Sequence, residues 1–153
     1  INDVAAFRLN AVYEESDSYR NGVNLNRYGI NPTFTITPTD NTKITIGAEY
    51  FKDQHIGDRG IPSIGSGLNN RPYRLEDYQT FYGNAKLSPN ETETKAFNVM
   101  IEHAFNDNLS IRNRTRYASY DKFYQNVYSG AVSSNGTTRL QNTKTHQRRL
   151  HGL

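Results

Sequence analysis

Residues 28–53 read YGINPTFTITPTDNTKITIGAEYFKD, and their alternation decides the fold. Before the turn, Tyr28, Ile30, Pro32, Phe34 and Ile36 take the even positions, with Gly29, Asn31, Thr33, Thr35 and Thr37 between them. After it, Ile44, Ile46, Ala48 and Tyr50 are again even, separated by Lys43, Thr45, Gly47 and Glu49. A period of two is the period of a strand, and Thr-Asp-Asn-Thr is turn chemistry, so the stretch is a hairpin. Facing residues share a side of the sheet, so the two apolar sets meet only if paired numbers sum to an even value. That predicts a loop of odd length, such as Thr39-Asp40-Asn41, in place of a two-residue turn.

The same rhythm recurs on both sides. Upstream, Val4 to Glu15 sets Phe7, Leu9, Ala11 and Tyr13 against Arg8, Asn10 and Glu14, and Asn21-Gly22 follows as a turn signal. Downstream, Phe97, Val99, Ile101, His103 and Phe105 alternate with Asn98, Met100, Glu102 and Ala104. Asn106-Asp107-Asn108 then reverses the chain, and parity predicts Phe105 opposite Leu109. The last clear segment runs from Leu109 to about Tyr128, with Leu109, Ile111 and Tyr117 on one side and Arg112, Arg114 and Arg116 in a row on the other. Lys52 to Glu93 has no sustained period, as expected of a functional loop. Residues 133–153 are poorly patterned, and QRRLHGL, at the end, alternates weakly. The expected fold is therefore all-β, an antiparallel meander of about five long strands.

Composition narrows the class. The chain has 153 residues, is 35% hydrophobic, and holds 11 Tyr, 7 Phe, one Met and no Trp or Cys. No segment approaches the roughly 18 consecutive apolar residues of a membrane helix. A membrane β-barrel stays open, because its strands alternate lipid-facing and lumen-facing residues and average out polar. The absence of Cys excludes disulfide frameworks and cysteine-ligated zinc. A net charge of +3 without a basic run or a binding motif predicts no nucleic-acid partner. His55, His103, His146 and His151 lack ligand spacing, so no metal site and no cofactor are expected. No Ser stands in a nucleophile motif and no carboxylate pair can be placed in a cleft, so the chain is not read as an enzyme. Residues 1–10 carry no signal-peptide pattern, so an exported protein would begin ahead of them.

Short turns fall at one end of the meander and long loops at the other, as in outer-membrane barrels. Tyr13, Tyr28, Tyr50 and Tyr117 sit toward the long loops and Phe105 by a short turn, where interface girdles belong. Ten residues at about 3.4 Å each, tilted by about 40°, climb roughly 25 Å, the height of the apolar band. A soluble β-sandwich that binds carbohydrate or protein also alternates, and a passive porin-like barrel shares the membrane pattern. Pro32 cannot donate to a ladder and is expected at a bulge or an unpaired position.

RYGINP (27–32), DRGIPS (58–63), TFYG (80–83) and IRNRTRYASYDKFYQNVYSGAV (111–132) together resemble TonB-dependent outer-membrane siderophore receptors, nearest to those for catecholate siderophores. The resemblance spans Val4 to about Val132. It implies a segment of a roughly 22-stranded transmembrane barrel in a Gram-negative outer membrane, a plug filling the lumen, and TonB-energised uptake of ferric siderophore, with iron present only in that ligand. Plug and TonB box are absent from residues 1–153, which read as a partial barrel domain, and a truncated or misread gene is one expectation for the end. The expected partners are ferric siderophore, outer-membrane lipid, and plug and TonB system through the missing part. A ferric catecholate is aromatic and anionic, so its site needs aromatic faces and cationic donors. Arg59, Arg71, Tyr73, Arg74, Tyr78, Phe81 and Tyr82 in the loop, with Tyr120 and Tyr124 at the far end of the fifth strand, are the candidate ligand residues, and Phe123 and Tyr128 stand beside them. Glu102, Arg112, Arg114 and Arg116 are the candidate lumen-facing, plug-facing residues.

Overall fold

The computed structural model describes residues 4–65, 67–74, 76–133 and 135–152. Six strands form one antiparallel sheet in chain order: β1 (Ala5–Asp17), β2 (Asn24–Thr39), β3 (Thr42–Ile56), β6 (Pro89–Asn106), β7 (Leu109–Ser129) and β8 (Leu140–Gly152). Between β3 and β6, the two-residue strands β4 (Ser63–Ile64) and β5 (Arg71–Pro72) pair with each other. The expected meander is present, with a sixth strand added. The irregular stretch is shorter than the sequence predicts, because β3 continues to Ile56 and β6 begins at Pro89. No helix among the described residues is long and apolar enough to cross a membrane.

Register follows the apolar pattern. Ile36 pairs with Ile44, and Ile44 with Ile101; Phe7 pairs with Phe34, Phe34 with Ile46, and Ile46 with Val99. These residues therefore occupy one face, continuous with Phe97 and Tyr117, which pair with each other. Thr33, Thr35, Thr45, Asn98 and Arg114 fall on the opposite face, since Thr35 pairs with Thr45, Thr45 with Met100, and Met100 with Arg114.

The turns reach this parity by a different route from the one predicted. Both are two-residue turns, Asp40-Asn41 and Asp107-Asn108, closed by Thr39–Thr42 and Asn106–Leu109 pairs. A bulge between Ile36 and Thr39, and another between Ala104 and Asn106, absorbs the extra residue, so Phe105 does not face Leu109. Asn106 holds the second turn by accepting from the Asn108 N–H at 2.9 Å. Pro32 pairs with Leu9 of β1, while the β2–β3 ladder skips from Ile30 to Thr33. Where a proline N–H is missing, Asn31 Nδ2 donates to the Ala48 carbonyl at 3.1 Å.

The sheet has no apolar core of its own: among the described residues, the buried apolar side chains are Ala96, Ala118, Val127 and Val132. The large apolar residues stay uncovered on their face, with Phe7, Phe97 and Tyr117 each at least half exposed. Along one row the face changes character: Tyr13 and Tyr28 pair, and the row continues through Lys52, Glu93, Asp121 and Arg148. That change explains β8. It pairs only with Tyr117–Ser129, from the edge of the apolar belt at Tyr117 upward, where a strand has little need of apolar alternation. Within the poorly patterned end, residues 140–152 are thus a strand, while residues 134 and 153 lie outside the described residues. At about 3.3 Å per residue, the 21 residues of β7 extend roughly 70 Å, far beyond a belt of about 25 Å.

Candidate functional site

The described residues of 57–88 (all but 66 and 75) are laid against the upper end of the sheet and fastened at several points. The Gly57 N–H donates to the Ser88 carbonyl at 2.9 Å, closing the loop at its base. Gly57 is wedged between the side-chain amides of Asn90 and Asn126, which a Cβ would strike. Ser88 is fully buried, and its Oγ accepts from the Val127 N–H at 3.0 Å. Further along, the Tyr82 carbonyl accepts from both Ser129 N (3.1 Å) and Ser129 Oγ (3.0 Å), and the Val132 N–H donates to the Ser63 carbonyl at 2.7 Å. The β1–β2 connection joins in: Asn21 N–H donates to the Gln79 carbonyl at 2.9 Å. Beside it, the 8% exposed Arg20 pairs with Asp58 at 2.9 Å. Three connections are therefore one interlocked body. Ser88→Ala leaves the Val127 N–H buried without a partner, at a cost of about 1–3 kcal/mol; hydrogen exchange that leaves the loop base as protected as before would refute this.

The loop meets the polar face of the sheet. Tyr124, Asn126 and Tyr128 share the side of β7 that carries Arg112, Arg114 and Arg116, being an even number of residues away. Arg59 joins the two, donating from Nε (3.2 Å) and a terminal nitrogen (3.1 Å) to Tyr124 Oη, with its guanidinium 4.3 Å from the Tyr128 ring centroid. The Tyr124 hydrogen bond holds the Arg59 guanidinium above its ordinary pKa, so it is a permanent cation. Tyr120, two inward positions below Tyr124, accepts from Arg116 at 3.2 Å. Of the candidate ligand residues, the structure thus links Arg59, Tyr120 and Tyr124 with the strand arginines. Phe81 and Tyr82 are half-buried at the loop base, and Tyr73 is tied through its N–H to Pro62. Arg71, Arg74 and Tyr78 stand apart, exposed and without a side-chain partner among the described residues; Tyr78 is 73% exposed.

Lower on the same face, register brings acids to two of the three arginines. Arg112 pairs with Glu102 at 3.3 Å, and Arg116 with Glu49 at 3.7 Å. Arg114 has no ionic partner among the described residues. Arg20, Asp58, Ser88, Asn90 and Asn126 escaped the sequence reading. Nothing local marks them, since each acts across 38 or so residues of separation or from an ordinary polar strand position.

No family model matches the chain. It is 28% identical over 134 residues to the catecholate siderophore receptor Fiu of Escherichia coli O157:H7, covering 81% of this chain and 18% of that protein. Its relatives are siderophore receptors. The ferrichrome outer membrane transporter/phage receptor of Escherichia coli is also 28% identical, covering 86% of this chain and 18% of the transporter. The ferrioxamine receptor of Yersinia enterocolitica is 25% identical over 90% of this chain and 19% of its own length. The chain thus spans about a fifth of the length of these receptors. The solved ferric-catecholate import receptor of Escherichia coli in its closed form shares the fold, with a TM-score of 0.74 and 24% identity over 97% of this chain and 23% of that receptor. Coverage of that order carries the shared fold past Val132 and into β8.

Proposed function

We propose that residues 1–153 are part of the barrel wall of a Gram-negative outer-membrane receptor that takes up ferric siderophore of the catecholate type with energy supplied through TonB. The carrying observation is a single-layer sheet with one uncovered apolar face and a long loop bolted over the opposite, polar face. Lipid covers the first; a water-filled, plug-bearing lumen adjoins the second. A soluble sandwich would bury its apolar residues beneath a second sheet, and the only other sheet among the described residues is the two-residue pair β4–β5. The relatives are receptors and transporters, and the chain's role is transport, not catalysis. Membrane fractionation with a heat-modifiable gel shift of the full-length product tests the barrel, and quenching of intrinsic fluorescence by ferric catecholate tests the ligand. A soluble product, or a barrel that binds no ferric siderophore, would overturn the reading.

The arginine row bears on the plug. Arg112 and Arg116 have partners within the wall, and Arg114 is left for a carboxylate of the plug. Replacing all three by Gln should loosen plug retention, seen as faster proteolysis of the plug in refolded receptor. If anion conductance alone is lost, the row belongs to a porin-like channel.

A further inference from the structure

The relatives divide among receptors named for catecholate, ferrichrome and ferrioxamine ligands, so relationship alone does not fix the chemical class bound. The charge pattern of the inward face is more selective. On β7 the inward positions above Arg116 are Ala118, Tyr120, Lys122, Tyr124, Asn126 and Tyr128; on β8 they are Gln141, Thr143, Thr145, Gln147, Arg149 and His151. Neither set contains a carboxylate. The acid of this region, Asp121, points outward and holds His146 at 2.9 Å. Inward carboxylates on the other strands are all taken: Glu14 and Asp53 lie against Arg27, Asp53 also against His55, Glu49 against Arg116, and Glu102 against Arg112.

Among the inward positions of β7 and β8 above Arg116, the cations are Lys122 and Arg149. Tyr120 pairs with Arg149, and Lys122 with Gln147, so Lys122 and Arg149 are diagonal neighbours within reach of one bound group. Neither has an ionic partner among the described residues. Lys122, Tyr124, Thr145 and Gln147 line a recess of about 180 Å³ beside them, and Arg59 reaches Tyr124 from the loop above. Single-sign charge inside a low-dielectric wall concentrates ions of the opposite sign. Tyr120 and Tyr124 stand on either side of Lys122 along β7, so aromatic rings adjoin the cations, as suits an aromatic anion.

Resting on the siderophore-receptor reading, we propose that Lys122 and Arg149, diagonal on the inward face of β7–β8 between Tyr120 and Tyr124, form a charge filter that makes the receptor select anionic ferric chelates over neutral ones. The pair acts on net charge, while the loop tip supplies contacts to the chelate's shape.

Full-length receptor in lipid is titrated with a ferric tris-catecholate and with a neutral ferric tris-hydroxamate, at low and high salt, in wild-type form and as K122Q/R149Q and K122R/R149K. Loss of the two charges should weaken catecholate binding by about tenfold at low salt and flatten its salt dependence, while leaving hydroxamate binding within about twofold. The charge-conserving variant should behave as wild type. Equal weakening toward both chelates, or an unchanged catecholate affinity in K122Q/R149Q, would overturn the filter. So would release of the plug by the Gln variant, because the two cations would then be holding plug carboxylates. A wild-type receptor that binds neither chelate would instead remove the siderophore reading itself.

Discussion

Ile46→Arg in the intact barrel should lower folding stability by about 2–4 kcal/mol, the cost of a guanidinium at the bilayer midplane. Ile46 lies between Phe34 and Val99 in the ladder, with Ile36, Ile44 and Ile101 in the next row and Ala48 and Phe97 on the other side. It is therefore in the interior of the apolar face, away from the tyrosine border at Tyr28 and Tyr50, whose rings are 6.0 Å apart. An arginine there can escape hydrocarbon only by extending along the wall toward an interface. Thr45 supplies the control one residue away, on the opposite face. Its hydroxyl lies 3.2 Å from that of Thr35, and Thr45→Ser keeps that contact while removing a methyl group from the polar side. Refolding into lipid vesicles, followed by urea titration, should separate the two variants by most of the predicted difference. Equal losses would mean that the two faces are not lipid and lumen.

Much of this geometry is legible in the sequence because a period of two is a strict constraint. Once Ile36 and Ile44 must share a face, slipping the register by one residue would send every Ile and Phe of the stretch to the polar side. The sequence does not reveal how that parity is kept. An odd loop and a two-residue turn with a bulge satisfy the same rule, and the choice depends on local backbone geometry around Pro38 and Phe105. Pro32 is legible as a defect, but its repair by the Asn31 side chain requires knowing that Ala48 lies opposite. β8 is hidden for a different reason. Beyond Tyr117 at the edge of the apolar belt, its neighbours on β7 stand above that belt, so selection for an apolar stripe is absent and only the ladder reveals it. Among the candidate ligand residues, the aromatic and cationic types are visible in the sequence. Their division into wall-bound and free sets is not, because the Arg59–Tyr124 contact spans 65 residues.

That division sharpens the expectation for ligand binding. At least one of Arg71→Ala, Arg74→Ala, Tyr78→Ala and Tyr82→Ala in the full-length receptor should weaken ferric catecholate binding by about tenfold or more. A charge-assisted hydrogen bond contributes about 1.5–3 kcal/mol, and each 1.4 kcal/mol is about a factor of ten. Arg71 sits on β5, and Arg74 and Tyr78 follow on exposed chain, so none of the three is occupied by the wall. Their loop, meanwhile, is held at Gly57–Ser88, Tyr82–Ser129 and Ser63–Val132. A fixed base reduces the ordering cost when exposed side chains close on a ligand. Tyr82 tests the base end of the same surface, because its anchor to Ser129 runs through the backbone carbonyl and survives loss of the ring. Binding is followed by fluorescence quenching, with hydrogen exchange at the loop base confirming that each variant keeps its fastening. If all four retain wild-type affinity with the base intact, the loop is a structural cover, and ligand contacts belong to other loops or to the plug.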